Sequence, residues 1–255
     1  ACFGRGSWGQ SFSSPLCVGK DRTLAFCESV WEELFELFPY EYVHMGGDEV
    51  DKSNWKRCPD CQTRMRAEGL PDEAALQAWF MHRMQRFCEA RGRRMIGWDE
   101  ILDGGLAPNA TVMSWRGTEG GIAAARMGHY AIMTPESHCY LDHYQDDPET
   151  QPLAFGACIP IGQTYSYDPA PDSLGSDICK YILGVQGNVW AESLPTYEHA
   201  EYMIYPRIIA LAEVGWTPME NKHPESFKRR INNEIRYIRT KGYNPFTLSE
   251  QVQTS

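Results

Sequence analysis

The sequence predicts an α/β fold, a (β/α)8 barrel of the TIM type, and three observations predict it. Short apolar runs alternate with stretches of helical spacing, which implies parallel strands joined by right-handed crossovers. Five such runs each end in an acid or a large aromatic, and a barrel gathers its site from the C-terminal ends of its strands. The chain, at 255 residues, is long enough for one sizeable core. A doubly wound open sheet is the alternative, but it binds ligands near one switch point rather than collecting aromatics from five strands. Five countable strands against the eight of a closed barrel leave three to lie elsewhere. The whole chain, 1–255, reads as one catalytic domain without a linker or low-complexity segment.

The first element is a helix between Asp21 and Pro39, with Leu24, Cys27, Trp31, Leu34 and Phe38 on one face and Asp21 as N-cap. YVHM (42–45) follows as a strand, stopped by Gly46 and Gly47, where the backbone can turn without a side chain in the way. Residues 72–91 form a helix capped by Asp72, with Leu76, Phe80, Met84 and Phe87 inward and a stop at Gly92. RRMIGW (93–98) and TVMSW (111–115) are the second and third strands. GGIAAARMG (120–128) is a short helix, and YAIMT (130–134) the fourth strand. The turn-rich stretch 145–177 reads as a long loop. YILGVQGNVW (181–190) is the fifth strand, followed by helices over 197–214 and 224–241, the latter with Phe227, Ile231, Ile235 and Ile238 on one face.

Composition narrows the function. A net charge of −10 disfavours nucleic acid, which needs clustered Lys and Arg; the short basic clusters lie on or beside helices and read as solvated faces. No run approaches the roughly 18 apolar residues of a membrane span. No signal peptide stands at Ala1, and with no initiator Met any targeting segment has been removed or left out. Nine cysteines cannot all pair. Cys58 and Cys61 form a CxxC without a second CxxC or HxxxH, so a local disulfide or two inert thiols is the expectation and a metal is not.

The stretch YVHMGGDEV (42–50) carries the chemistry. Asp48 and Glu49 sit at a strand tip, as either a loop's solvated charge or the working end of an enzyme. Asp51 adds too few oxygens for a hard cation. Trp98, Trp115 and Trp190 are core residues or, each beside a polar neighbour at a strand end, walls of a sugar pocket. His44, inside the strand, reads as a satisfied core histidine.

HMGGDE (44–49) resembles the catalytic motif of the family 20 glycoside hydrolases, the β-N-acetylhexosaminidases. Later motifs follow in the family's order: GWDEIL at 97–102, VMSWRG at 112–117, CYLDHY at 139–144 and GVQGNVWAE at 184–192. The resemblance spans residues 15 to about 216 and makes the five runs strands four to eight of the barrel. Three earlier strands, bearing a sugar-binding arginine and an Asp/His pair, are expected before Ala1. The resemblance implies exo-acting, retaining hydrolysis of terminal β-linked N-acetylhexosamine, with an amino-sugar glycan as substrate and no cofactor. Adjacent carboxylates fit poorly across a sugar ring as acid and nucleophile; a 2-acetamido oxygen attacking the anomeric carbon removes the need for the second. Glu49 is then the general acid and base, which requires a raised pKa, and Asp48 an ionised partner of the acetamido N–H. Tyr140 aligns the acetamido carbonyl, Trp98, Trp115 and Trp190 box the N-acetyl group, and Asp142 and Glu192 bind hydroxyls. Family habit points to periplasm, lysosome or secretion. Two rivals stay open: a non-catalytic carbohydrate-binding partial barrel, and a half-barrel completed by a partner chain, since open strand edges and a split core are poorly tolerated.

Overall fold

A computed structural model describes residues 15–248, and these fall into two compact units: residues up to Met113 with Gly120–Ala131, and Ser114–Glu119 with residues from Ile132 onward. In the first unit, α1 (Asp21–Leu37) leads into β1 (Tyr42–His44). Three helices follow, α2 (Ser53–Arg57), α3 (Pro59–Glu68) and α4 (Glu73–Glu89), then β2 (Arg94–Trp98) and β3 (Thr111–Ser114). The helix α5 (Glu119–Arg126) precedes β4 (Ala131–Met133), of which Ala131 belongs to this unit and Ile132 and Met133 to the second.

The first three strands lie side by side in parallel, Val43 opposite Met95 and Gly97 opposite Val112. The β1–β2 crossover carries α2, α3 and α4, while the β2–β3 crossover holds only a 3-10 turn at Asp99–Leu102. Their core is apolar: Met81, Met95, Ile101, Val112 and Ala124 pack together, and Phe35, Val43, Phe87 and Cys88 form a second cluster. Asp72 caps α4 as expected, accepting from the Ala75 amide at 2.8 Å. Asp21 does not cap α1. The helix starts at Asp21 itself after Lys20, with no side-chain cap, and Asp21 pairs instead with Arg64. Phe38 is exposed rather than inward, because α1 ends at Leu37 and the next residue leaves the helical period.

The second unit holds α6 (Glu136–Cys139), β5 (His143–Tyr144), β6 (Phe155–Cys158), α7 (Ile161–Ser166), α8 (Ser176–Cys179) and β7 (Ile182–Val185). It closes with α9 (Tyr197–Ile204), α10 (Arg207–Trp216) and α11 (Pro224–Thr240). The Gln186 amide donates to the Met133 carbonyl at 3.1 Å, continuing the neighbourhood of β4 and β7. The expected loop 145–177 is only partly one. β6 pairs with β5, and Tyr165 of α7 stacks on Phe227 of α11 at 4.0 Å, so tertiary packing orders residues that lack a local pattern. The expected helix 197–214 is two, broken at Tyr205 and Pro206, where proline has no N–H to continue the ladder. The fifth strand is shorter than 181–190. Its regular part ends at Val185, and beyond it Asn188 alone bridges to Tyr140.

Candidate active site

β1 delivers the acidic pair. After His44 the chain turns through Gly46 and Gly47, at φ 73° and 104°, a region that a side chain disfavours. A Cβ on Gly47 would also stand 2.7 Å from Cγ2 of Ile101. Gln77 Nε2 donates to the Gly47 carbonyl at 2.7 Å, and the Trp98 amide to that of Gly46 at 3.0 Å. The turn is therefore held from α4 and from β2. Glu49 adopts φ 48°, a left-handed conformation that costs a residue with a Cβ about 1 kcal/mol or more.

Asp48 is exposed by surface area, yet enough protein crowds its carboxyl to raise it above the ordinary aspartate range. A backbone hydrogen bond acts the other way, and the negative charge of Glu100 adds to the rise. Trp98, half-buried at the end of β2, lies with its ring centroid 4.5 Å from that of His44. His44 accepts from the Gly46 amide through Nδ1 at 3.1 Å. Its Nε2 finds no hydrogen-bond partner among the described residues, and burial pulls its pKa down to about 4. His44 is thus a neutral ring beneath the turn.

The other five expected residues belong to the second unit. The Trp115 and Tyr140 rings lie 6.2 Å apart and nearly parallel, at 18°; Tyr140 and Trp190 lie 6.4 Å apart at 58°. Tyr140 is thus flanked by two indoles. Burial pushes its phenol well above the usual range, opposed by hydrogen bonds with Asn188 and Trp190. The backbone that carries it is fixed by Asn188, whose amide donates to the Cys139 carbonyl at 2.9 Å and whose carbonyl accepts from the Leu141 amide at 2.7 Å. Asp142 is 3% exposed, and its Oδ1 finds no hydrogen-bond partner among the described residues. Burial pushes its carboxyl up to about 6; a backbone hydrogen bond and Arg207 oppose, and Glu192 contributes upward. Trp190 and Glu192 are exposed.

Two residues near Asp142 went unread in the sequence. Arg207 is fully buried, and burial pulls it down to about 9 against the favourable charge of Asp142. An arginine opening the apolar run RIIAL is the signal that could have marked it. His143 is also buried and drawn down to about 4, by burial first and Arg207 second. Glu136 lies 3.6 Å from its Nε2, but that carboxylate is half-exposed and the other two effects prevail.

Parallel strands joined by crossovers, with Asp48 and Glu49 at the turn after the first of them, define the class: an α/β protein of the barrel type. The chain belongs to glycosyl hydrolase family 20, whose catalytic-domain model matches residues 4–219. It is 49% identical over 238 residues to the beta-hexosaminidase of Porphyromonas gingivalis, covering 93% of this chain and 30% of that protein. It is 35% identical over 205 residues to the beta-hexosaminidase of Vibrio furnissii, covering 79% and 33%. Among solved structures, an inactive mutant of the family 20 exo beta-N-acetylglucosaminidase of Vibrio harveyi matches with a TM-score of 0.88 and 28% identity, over 96% of this chain and 39% of that one. The same enzyme in complex with N-acetylglucosamine matches with a TM-score of 0.83 and 29% identity, over 91% and 37%. The chain therefore spans about a third of the length of the curated relatives it matches, and its fold is that of part of an α/β barrel.

Proposed function

We propose that this chain carries the catalytic machinery of an exo-acting β-N-acetylhexosaminidase that works by substrate assistance with retention of configuration. The observation that carries the reading is the placement of Asp48 and Glu49 at the turn after β1, in a chain that belongs to glycosyl hydrolase family 20. In this reading Glu49 protonates the leaving glycosidic oxygen, and the substrate's own acetamido oxygen forms the bond to the anomeric carbon as the leaving group departs. Glu49 then takes a proton from the water that opens the oxazolinium ring, returning the sugar with its original configuration. Asp48 accepts from the acetamido N–H and offsets the positive charge of the ring. Tyr140 donates to the acetamido carbonyl and aligns it. Trp98, Trp115 and Trp190 supply apolar walls, and Asp142 and Glu192 accept from sugar hydroxyls. No cofactor enters the scheme.

The test is hydrolysis of chromogenic N-acetylglucosaminides by the full chain and by Glu49→Gln. The reading expects turnover that depends on Glu49 most strongly when the leaving group is poor, since a good one departs without a proton. Sugar binding without turnover, in a chain shown to be folded, would replace it with a carbohydrate-binding role.

A further inference from the structure

The first unit holds a cluster that the sugar chemistry does not use. Cys17, in the segment before α1, meets Cys58 and Cys61 at the start of α3, and the three sulfurs lie within 4.8 Å of one another. Cys17 Sγ is 3.5 Å from that of Cys58 and 3.7 Å from that of Cys61. A disulfide needs about 2.05 Å. A tetrahedral zinc site with Zn–S bonds of about 2.3 Å has S···S edges of about 3.8 Å. The observed separations match the second geometry.

Three further features favour a metal over an accidental meeting of thiols. Pro59 at the first position of α3 fixes the CPDC turn, with Cys58 as the N-cap and Cys61 within the first turn. The positive end of that helix favours negative sulfur. The Cys17 segment is pressed onto this turn without slack: a Cβ on Gly19 would fall 2.2 Å from the Asp60 carbonyl carbon and 2.4 Å from the Cys61 amide. Trp55 Nε1 donates to the Leu16 carbonyl at 3.0 Å, and Lys20 pairs with Asp60 at 3.3 Å, so both flanks of the cysteine are tied down. Burial is graded as well. Cys61 and Cys17 are 0% and 1% exposed while Cys58 is half-buried, so the cluster meets solvent at Cys58.

We propose that Cys17, Cys58 and Cys61 form a structural site for a thiophilic divalent cation, zinc, that staples the segment before α1 to the helices following the Asp48–Glu49 turn. Three thiolates supply three of the four positions, releasing their protons as the metal binds, and the fourth donor is water or another group outside the described His, Cys, Asp and Glu side chains. The site sits in a small core of Val18, Trp55, Met65 and Leu76, so a bond network there adds order where apolar area is modest. The inference is independent of the hexosaminidase reading.

The full chain, purified under reducing conditions without chelator and reconstituted with zinc, should hold about one zinc per chain by elemental analysis. Cobalt in its place should give thiolate-to-metal charge-transfer bands. Cys17→Ser and Cys61→Ser should reduce the metal to background, while Cys158→Ser, an exposed thiol in the other unit, should keep it. A strong chelator should lower the Tm of the parent chain. Because the cobalt spectrum is read on the parent chain, a misfolded variant does not block the test. Absence of stoichiometric zinc and of cobalt bands in the folded parent overturns the site, and so does an intact mass two hydrogens light, in chain prepared without reductant, that maps to a disulfide among these cysteines.

Discussion

Arg207 grips the backbone on both sides of Asp142. Its Nη2 donates to the Leu141 carbonyl at 2.7 Å and to the His143 carbonyl at 2.9 Å, as well as to Met203, while Nη1 reaches the Ile159 carbonyl at 3.1 Å. A planar guanidinium with five donors can serve several carbonyls in one place; an ammonium cannot match that geometry. Arg207 is therefore a positioning residue for the Asp142 segment, and its charge also restrains the upward drift of the Asp142 carboxyl.

Replacing Arg207 with Met should cost at least about 3 kcal/mol, since buried carbonyls lose a charged donor. For a chain of this size that lowers the Tm by roughly 6–12 °C. Arg207→Lys should recover only part of the loss. Thermal unfolding of the two variants checks this, and an unchanged Tm in the Met variant would remove the role.

Asp142 gives a pH dependence of definite sign. Its folded pKa of about 6 stands above the ordinary 3.8, so on raising the pH the unfolded chain loses this proton first. The contribution of Asp142 to stability is complete below about pH 4 and is lost by about pH 6, a change of about 3 kcal/mol at most. Denaturant titrations across that window should show the decline in the parent chain and a flatter curve in Asp142→Asn.

His44 and His143 act in the opposite sense. Each has a pKa near 4 when folded against an ordinary 6.5, so both resist protonation that the unfolded chain accepts. Their contribution is present above about pH 6.5 and drains away as the pH falls towards 4. Imidazole proton resonances followed by NMR should titrate near pH 4. Titration near 6.5 would show that neither ring is enclosed as described.

Gly47→Ala should disturb the acidic turn directly. The new methyl meets Ile101, and φ 104° suits no residue with a Cβ. A loss of about 1–3 kcal/mol is expected, with a fall in turnover larger than stability alone explains, because Asp48 and Glu49 follow immediately. Turnover and unfolding measured on the same preparation separate the two effects.

Asp48→Asn should lower kcat by about 100-fold or more on N-acetylglucosaminides, the scale of losing one preorganised charge partner. Plain glucosides, which lack the acetamido group, should be poor substrates for parent and variant alike. Efficient cleavage of a plain glucoside would refute substrate assistance.

The sequence by itself determined the strand–helix alternation, the Asp72 cap and the Gly46-Gly47 turn that ends β1, because periodicity, capping and φ preference act over a few neighbouring residues. It also offered Asp48, Glu49 and the three indoles as candidates; Trp98 ends β2 and Trp115 follows β3, while Trp190 lies beyond the end of β7. Tertiary structure decided what depends on residues far apart in the chain. Arg207 reaches the carbonyls around Asp142 from 64 and 66 residues away, Cys17 meets Cys58 across 41, and Tyr165 orders a turn-rich stretch by stacking on Phe227. The local traces, an arginine opening RIIAL and a CxxC at 58–61, do not name the distant partners. Burial and long-range partners set them, and only the folded chain brings those partners together.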